Sequence, residues 1–269
     1  MLSLIIAAAC GASVGLGLYF TDVAGYGWST FFGVLTLGGV QMGIGIFLQR
    51  KVKAAMRAVE QVIVEGQKAM QAKALRWQMR PPGSPQAMQN EIARDQRRFV
   101  EDALALTEPL HRFDMWVPMM KRQIATAQFQ LYWMIKEYRK CDALMGKALF
   151  VEPTMYAMKM ARLYSQGKPT DEIRKVYEKG SRRLRYNQNV LIAATWTWIL
   201  VQRNEIDAAF KALTEALKNS DNATLKANRE ALANNKIAHF SNSGIGDTWW
   251  AIGLEEPKIK APRQRMQWR

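Results

Sequence analysis

RNEIDAAFKALTEAL, residues 203–217, decides the interpretation of the fold, because its pattern recurs twice earlier in the chain. It starts with polar residues typical of a tight turn and continues as an amphipathic helix with Ala209 and Ala216 on one face. Small side chains at these positions let a neighbouring helix approach closely. DEIRKVYEKG (residues 171–180) and YRKCDALMGKAL (residues 138–149) follow the same pattern.

The three segments place equivalent residues at a nearly constant spacing. Cys141 stands 32 residues before Ile173, which stands 36 residues before Ala209. A mean of about 34 residues is the length of a helix-turn-helix solenoid repeat, whose helices bury their apolar faces only by stacking. The sequence therefore predicts an all-α fold in which the region after the N-terminal segment is an α-solenoid of antiparallel helix pairs. The equivalent triplets are Cys141, Met145 and Ala148; Ile173, Tyr177 and Gly180; and Ala209, Leu213 and Ala216.

Residues 121–217 resemble a divergent tetratricopeptide repeat array of about three units. The family's aromatic residue nine positions before the small contact residue is matched by Tyr132 and Tyr164, and its proline after the second helix by Pro153. The helix pairs that the resemblance implies are 121–136 with 138–150, 154–166 with 170–184, and 189–202 with 205–218.

In this family the first helices of the pairs line a concave groove that binds a peptide or a helix. The resemblance implies that Trp133 and Trp198 belong to that groove, although aromatic residues at helical spacing are more often core than groove, so both interpretations stay open. The implied groove residues are Gln130, Trp133, Met158, Arg162, Gln166, Trp198 and Gln202.

The first part of the chain, residues 1–49, predicts a two-span transmembrane hairpin. Residues 2–20 and 28–49 are uncharged, mostly apolar runs, each long enough to cross a hydrocarbon core of about 30 Å as a helix. The seven-residue connection TDVAGYG leaves room only for a tight turn. No basic stretch precedes the first run, so we expect a membrane span and not a cleaved leader.

Arg50, Lys51, Lys53 and Arg57 follow the second run directly. Basic residues that flank a span stay on the cytoplasmic side, so we expect a protein of a bacterial-type inner membrane with both termini in the cytoplasm. The same four residues are candidate contacts for anionic lipid.

Each span carries a GxxxG pair, Gly11 with Gly15 and Gly39 with Gly43. Such pairs allow close backbone contact in lipid, either between the two spans or with a second copy or another protein.

Residues 50–80 predict a basic amphipathic juxtamembrane helix, which either forms a coiled-coil stalk or packs on the solenoid or the membrane surface. Pro81 and Pro82 end it. We expect residues 86–254 to form the tetratricopeptide-like domain, with capping helices at 86–107 and 222–240. The basic tail, residues 255–269, is expected to be disordered.

Nothing in the sequence predicts catalysis. His111 and His239, the chain's two histidines, lack metal-ligand spacing, and no phosphate-binding or dinucleotide-binding motif occurs, so we expect no cofactor. Because residues 1–49 hold a single charged side chain, Asp22, the net charge of +15 belongs to residues 50–269. That charge suits anionic lipid or a solvated surface, and a nucleic acid partner is not expected.

We therefore expect a membrane-anchored helical-repeat scaffold that binds a protein partner on the cytoplasmic face. The alternative is a protein that binds anionic lipid, or shapes the membrane, through its juxtamembrane helix and tail.

Overall fold

The computed structural model describes residues 2–23, 25–79, 84–184 and 186–256. Within these ranges every regular element is a helix and no strand occurs, which confirms the all-α prediction. The predicted break at Pro81 and Pro82 and most of the predicted tail lie outside the described residues. The chain divides into two compact units, Met1–Leu149 and Phe150–Arg269.

The first unit contains the apolar hairpin and the helices that pack beside its long second helix. Its α-helices are α1 (Leu2–Phe20), α2 (Tyr26–Met79), α3 (Pro85–Ala105), α4 (Met120–Met134) and α5 (Tyr138–Leu144), with a 3₁₀ helix at Glu108–Phe113. Both α1 and α2 are long and apolar enough to cross a membrane, judged by length and composition.

The two helices of the hairpin meet along a ladder of small residues. On α1 the ladder consists of Ser3, Ala7, Gly11 and Gly15, of which the first three are buried. A Cβ atom placed on Gly11 would lie 2.6 Å from the carbonyl oxygen of Gly33, and one placed on Gly33 would lie 2.9 Å from the carbonyl oxygen of Gly11. The helices therefore approach to a distance that only glycine allows at this point.

The second GxxxG pair takes no part in this contact. A Cβ atom on Gly39 or Gly43 would meet nothing within 4 Å. Of the two pairs that the sequence offered for seating the hairpin, only Gly11 and Gly15 do so, because the facing glycine of α2 is Gly33.

Helix α2 runs without interruption for 54 residues, a length of about 81 Å. Its second half packs against α3, so it is not a free stalk. A Cβ atom on Gly66 would lie 2.6 Å from Cγ of Phe99, which explains why a glycine stands on the apolar stripe of this helix.

Lys73 also stands on this stripe, where its amine forms ion pairs with Glu91 and Asp95 of α3, each at 2.5 Å. The hydrogen bonds to Asp95 and then Glu91 raise the pKa of Lys73.

Two apolar clusters join α2, from Leu48 onward, to its neighbours. The first cluster begins at the end of the apolar run and joins α2 to the 3₁₀ helix and α4, and the second joins α2 to α3 and α4. Their buried members are Leu48, Val52, Leu110, Phe113, Met120 and Ile124 in the first, and Val59, Val100, Ala103 and Leu131 in the second.

The second unit is built around one apolar helix. Its α-helices are α6 (Pro153–Ser165), α7 (Thr170–Arg183), α8 (Val190–Gln202), α9 (Ile206–Ala216), α10 (Ala223–Ala233) and the single turn α11 (Asp247–Trp250). Its 3₁₀ helices are Tyr186–Asn189, Ile237–His239 and Ser243–Ile245. Residues 191–200 of α8 are all buried. Helix α6 packs against α7 and α8, α8 against α9, and α9 against α10.

The turns that close α4, α6, α8 and α10 share one geometry. Each contains a residue with a positive φ, and the N–H of the next residue donates to the carbonyl five positions back, at 2.8–3.0 Å. This is the Schellman arrangement, which satisfies carbonyls left over at a helix end. The residues with positive φ are Lys136 (58°), Gly167 (70°), Asn204 (60°) and Asn235 (54°).

Two predicted helices are shorter than expected. Helix α5 ends at Leu144 and not at residue 150: the N–H groups of Met145 and Lys147 donate only three positions back, to Asp142 and Leu144, and the N–H of Leu149 donates to the Thr126 hydroxyl at 2.7 Å. Helix α10 ends at Ala233 and not at residue 240, because Asn235 adopts the left-handed conformation.

We predict that Gly11→Ile destabilises the hairpin and that Gly43→Ile does not. At Gly11 the new side chain would collide with backbone of α2, a misfit that costs about 1–3 kcal/mol or more. The measurement is thermal unfolding of the full chain in detergent micelles, followed by circular dichroism. An equal effect of the two substitutions would contradict the described contact.

Candidate functional site

The implied groove residues are distributed over both units. The first unit contains Gln130 and Trp133, both on α4. The second unit contains Met158 and Arg162 on α6, and Gln166 directly after that helix. It also contains Trp198 and Gln202 on α8.

Trp133 belongs to the core of the first unit. Its side chain is buried, stacks on Phe129 with 5.8 Å between ring centroids, and meets the edge of Tyr138 at 5.2 Å. Gln130, one turn earlier on α4, is half-buried. Of these two positions, the amide of Gln130 is the more accessible to a ligand.

The three positions at α6 become more exposed toward the end of the helix. Met158 is buried, Arg162 is half-buried and Gln166 is exposed. The Arg162 guanidinium donates to the Ser165 hydroxyl at 3.2 Å, so it is oriented along the last turn of the helix.

Trp198 is covered by the C-terminal segment of its own unit, residues 241–256, which contains Asn242, Trp249 and Glu255. Its ring meets Tyr164 at 5.5 Å and Trp249 at 6.2 Å between centroids. Its indole Nε1 donates to Oε1 of Glu255 at 2.8 Å, and the Nε1 of Trp249 donates to Oε2 of the same carboxylate at 2.8 Å. One carboxylate thus joins two indoles and holds the segment over this part of α8.

A buried amide pair fastens the same segment one turn earlier on α8. The Asn242 amide donates to the carbonyl of Ala194 at 3.1 Å, and the Asn228 amide donates to Oδ1 of Asn242 at 2.8 Å. Both Asn side chains are at most 1% exposed. Ala194 and Trp198, two neighbouring positions on the implied groove side of α8, are therefore both covered by the chain itself.

Sequence reasoning did not find Glu255 or Asn242. Their partners on α8, Trp198 and Ala194, stand 57 and 48 residues away, and no periodic pattern connects residues so distant. The crowding of Trp249 and Trp250 in the sequence was the one signal that this segment folds back on an apolar surface.

The turns after α6 and α8 are joined by a polar network. Arg203 donates to the Thr170 hydroxyl at 2.7 Å and to the Lys168 carbonyl at 2.5 Å. The Thr170 hydroxyl in turn donates to Glu205 at 2.8 Å. This network orients the ends of two successive helix pairs, and it leaves Gln166 and Gln202 exposed beside it.

The four basic residues after the apolar run form an exposed band on α2. Arg50, Lys51, Lys53 and Arg57 are all exposed, and the Lys51 amine lies 4.8 Å from the centre of the Phe47 ring. No acidic residue of the described chain forms an ion pair with these four side chains. Their charge is therefore available to an external anion.

The described residues contain no group of three or more His, Cys, Asp or Glu side chains that could hold a metal ion. Cys10 and Cys141 do not form a disulfide, and the buried thiol of Cys141 donates to the Phe129 carbonyl at 3.7 Å. The His111 ring contacts the Asp114 carboxylate at 3.0 Å on the surface.

Compared with protein-family models, with curated proteins and with solved structures, the chain matches none of them.

We predict that Glu255→Ala lowers the free energy of unfolding of the second unit by about 1–3 kcal/mol, because two indole N–H groups lose their acceptor. Glu255→Gln keeps one acceptor oxygen and is expected to cost less. Denaturant unfolding of the full chain in detergent, followed by tryptophan fluorescence, measures both. Equal stability of the Ala variant and the unchanged protein would show that the carboxylate does not hold the segment.

Proposed function

We propose that this protein is a membrane-anchored helical-repeat scaffold of the tetratricopeptide-like kind, which binds a protein partner on the cytoplasmic face. The observation that carries the proposal is the continuity of α2 from the apolar hairpin into the packed helices of the first unit. A protein bound to such a chain is held at the membrane.

Exposed apolar side chains on the hairpin support the anchor. Leu4, Val34 and Phe47 are 57%, 70% and 59% exposed. Water penalises such surfaces, whereas the hydrocarbon of a bilayer accepts them. The basic band that begins at Arg50 supports an orientation with the helical units in the cytoplasm.

The shared turn geometry supports a repeat architecture. The Schellman turns after α4, α6, α8 and α10 recur at intervals close to a repeat length, and Cys141, Ile173 and Ala209 are each fully buried. In the second unit, helices adjacent in sequence also pack against each other. These are the features expected of stacked helix pairs.

The accessible part of the implied groove in the second unit is polar. Arg162, Gln166 and Gln202 offer a guanidinium and two amides, which suit the backbone and acidic side chains of a bound peptide or helix. Met158 and Trp198, the other two implied groove residues of this unit, are buried.

We predict that Arg162→Glu abolishes recovery of the partner from solubilised membranes, because the charge that the partner faces is reversed. Lys175→Glu, which makes the same charge change on the exposed face of α7, is the matched control and is expected to retain the partner. The measurement is quantitative mass spectrometry of proteins that copurify with each variant.

Identical sets of copurifying proteins for the two variants would overturn the proposed groove. Labelling of a C-terminal tag from outside intact cells would overturn the proposed orientation.

The exposed basic band favours a second candidate function, the binding of anionic lipid. Its test is the binding of fluorescent phosphatidylglycerol to the full chain in neutral detergent micelles. Replacing the four residues of the band by Gln is expected to weaken this binding, and added salt is expected to weaken binding to the unchanged protein. The charge-matched control replaces Lys175, Lys179, Arg182 and Arg183 of α7, all exposed, by Gln.

Equal binding by the two variants would reject the band as a lipid site.

A further inference from the structure

The loop at residues 114–119 is tied to the start of the apolar hairpin. The backbone N–H of Leu2 donates to the Met115 carbonyl at 3.1 Å, and the Ser3 hydroxyl donates to the Trp116 carbonyl at 3.4 Å. Since Leu2 is the first residue of α1, the 114–119 loop lies at the level where this apolar helix begins.

A second contact puts the loop at the same level on α2. Phe113, which immediately precedes the loop, is buried in one cluster with Leu48 and Val52. These two residues of α2 stand on either side of Arg50, where the second apolar run ends. Both helices of the hairpin therefore independently place the 114–119 loop at one end of the apolar segment.

That end coincides with a membrane boundary when the hairpin spans a bilayer. Helix α1 has 19 residues and is about 28 Å long, close to the hydrocarbon thickness of about 30 Å. Its two ends then lie at opposite boundaries, and Leu2 lies at the boundary that the basic band of α2 also marks.

The loop exposes apolar side chains at this level. Met115 is 64% exposed, Met119 is 59% exposed, and Trp116 is partly exposed. Single exposed apolar side chains are ordinary on protein surfaces, but here they adjoin one another next to the end of a membrane-length helix.

The backbone holds the loop in one conformation. The N–H groups of Trp116 and Val117 both donate to the Phe113 carbonyl, at 3.0 and 2.9 Å. Met119 adopts a φ of 65°, which is uncommon for a residue other than glycine and is kept here at the start of α4. The two methionines are therefore displayed by an ordered segment.

The residues that flank the loop are basic. Arg112, Lys121 and Arg122 are exposed on either side of it. Tryptophan with Lys and Arg is the combination that anchors proteins at the level of lipid headgroups, and the basic side chains attract anionic lipid.

We propose that the 114–119 loop rests in the membrane interface, with Met115, Trp116 and Met119 against lipid at the boundary between headgroups and acyl chains. The inference rests on the proposed anchoring of the hairpin in a membrane. With this contact the first unit meets this boundary of the bilayer at three places, the start of α1, the part of α2 around Arg50, and the loop. Its height and tilt above the membrane are then set by the fold and not by a flexible linker.

Site-directed fluorescence in vesicles tests the proposal. The full chain carrying Cys10→Ala is given one new cysteine and labelled with an environment-sensitive dye, since the remaining Cys141 is fully buried. The vesicles contain phosphatidylcholine and phosphatidylglycerol, with a nitroxide quencher attached near the glycerol backbone. The test position is Met119→Cys, and Met115→Cys repeats the measurement in case one variant does not fold.

Two control positions are labelled in the same way, one expected in water and one expected in the hydrocarbon. Leu75→Cys has the same exposure as Met119, 59%, but lies on α2 about 40 Å beyond Leu48. Val34→Cys is 70% exposed in the middle of the hairpin. We expect a blue shift of the emission at positions 119 and 34, loss of intensity to the quencher at position 119, and neither change at position 75.

A dye at position 34 that responds to lipid while those at 119 and 115 behave like the one at 75 would overturn this proposal and leave the anchor intact. A dye at position 34 that remains in water would overturn the anchor, and the loop contact with it. Protection of position 119 by a bound protein would appear as a blue shift without quenching and would also overturn the proposal.

Discussion

The uninterrupted hydrogen bonding of α2 is the constraint on which the rest of the first unit depends. A chain that crosses hydrocarbon must satisfy its backbone N–H and C=O groups internally, and a helix does this without partners. Because α2 continues as the same helix beyond its apolar run, Leu48, Val52 and Val59 present one stripe to the surrounding helices. The hairpin and the packed helices consequently share one element, with no hinge between residues 26 and 79.

Two glycines on α2 allow a close contact, one in its apolar half and one in its polar half. In the apolar half Gly33 meets Gly11, and in the polar half Gly66 meets the ring of Phe99. A glycine costs a helix about 1 kcal/mol relative to alanine, and that cost is offset where close approach brings many atoms into contact. In the apolar segment the contact is between two backbones, whereas in the polar segment a backbone receives an aromatic ring.

In the second unit the main constraint is that the apolar helix α8 must be buried on all sides. Ten consecutive residues of α8 are buried, and its outer face is covered by the segment that contains Asn242, Trp249 and Glu255. Burying polar groups is tolerated here because each indole N–H and each Asn amide named above has a partner. What stays exposed is the polar end of the helix pairs, near Gln166 and Gln202.

The sequence by itself determined the features that depend on local pattern. Apolar runs and helical periodicity predicted the two membrane-length helices and the helix pairs, because these signals involve residues only a few positions apart. Tertiary structure decided which glycine pair seats the hairpin, where α5 and α10 end, and that Trp133 and Trp198 are buried. Those outcomes depend on contacts such as Thr126 with Leu149 and Trp198 with Glu255. Such contacts join residues far apart along the chain, and they leave no periodic trace in the order of the amino acids.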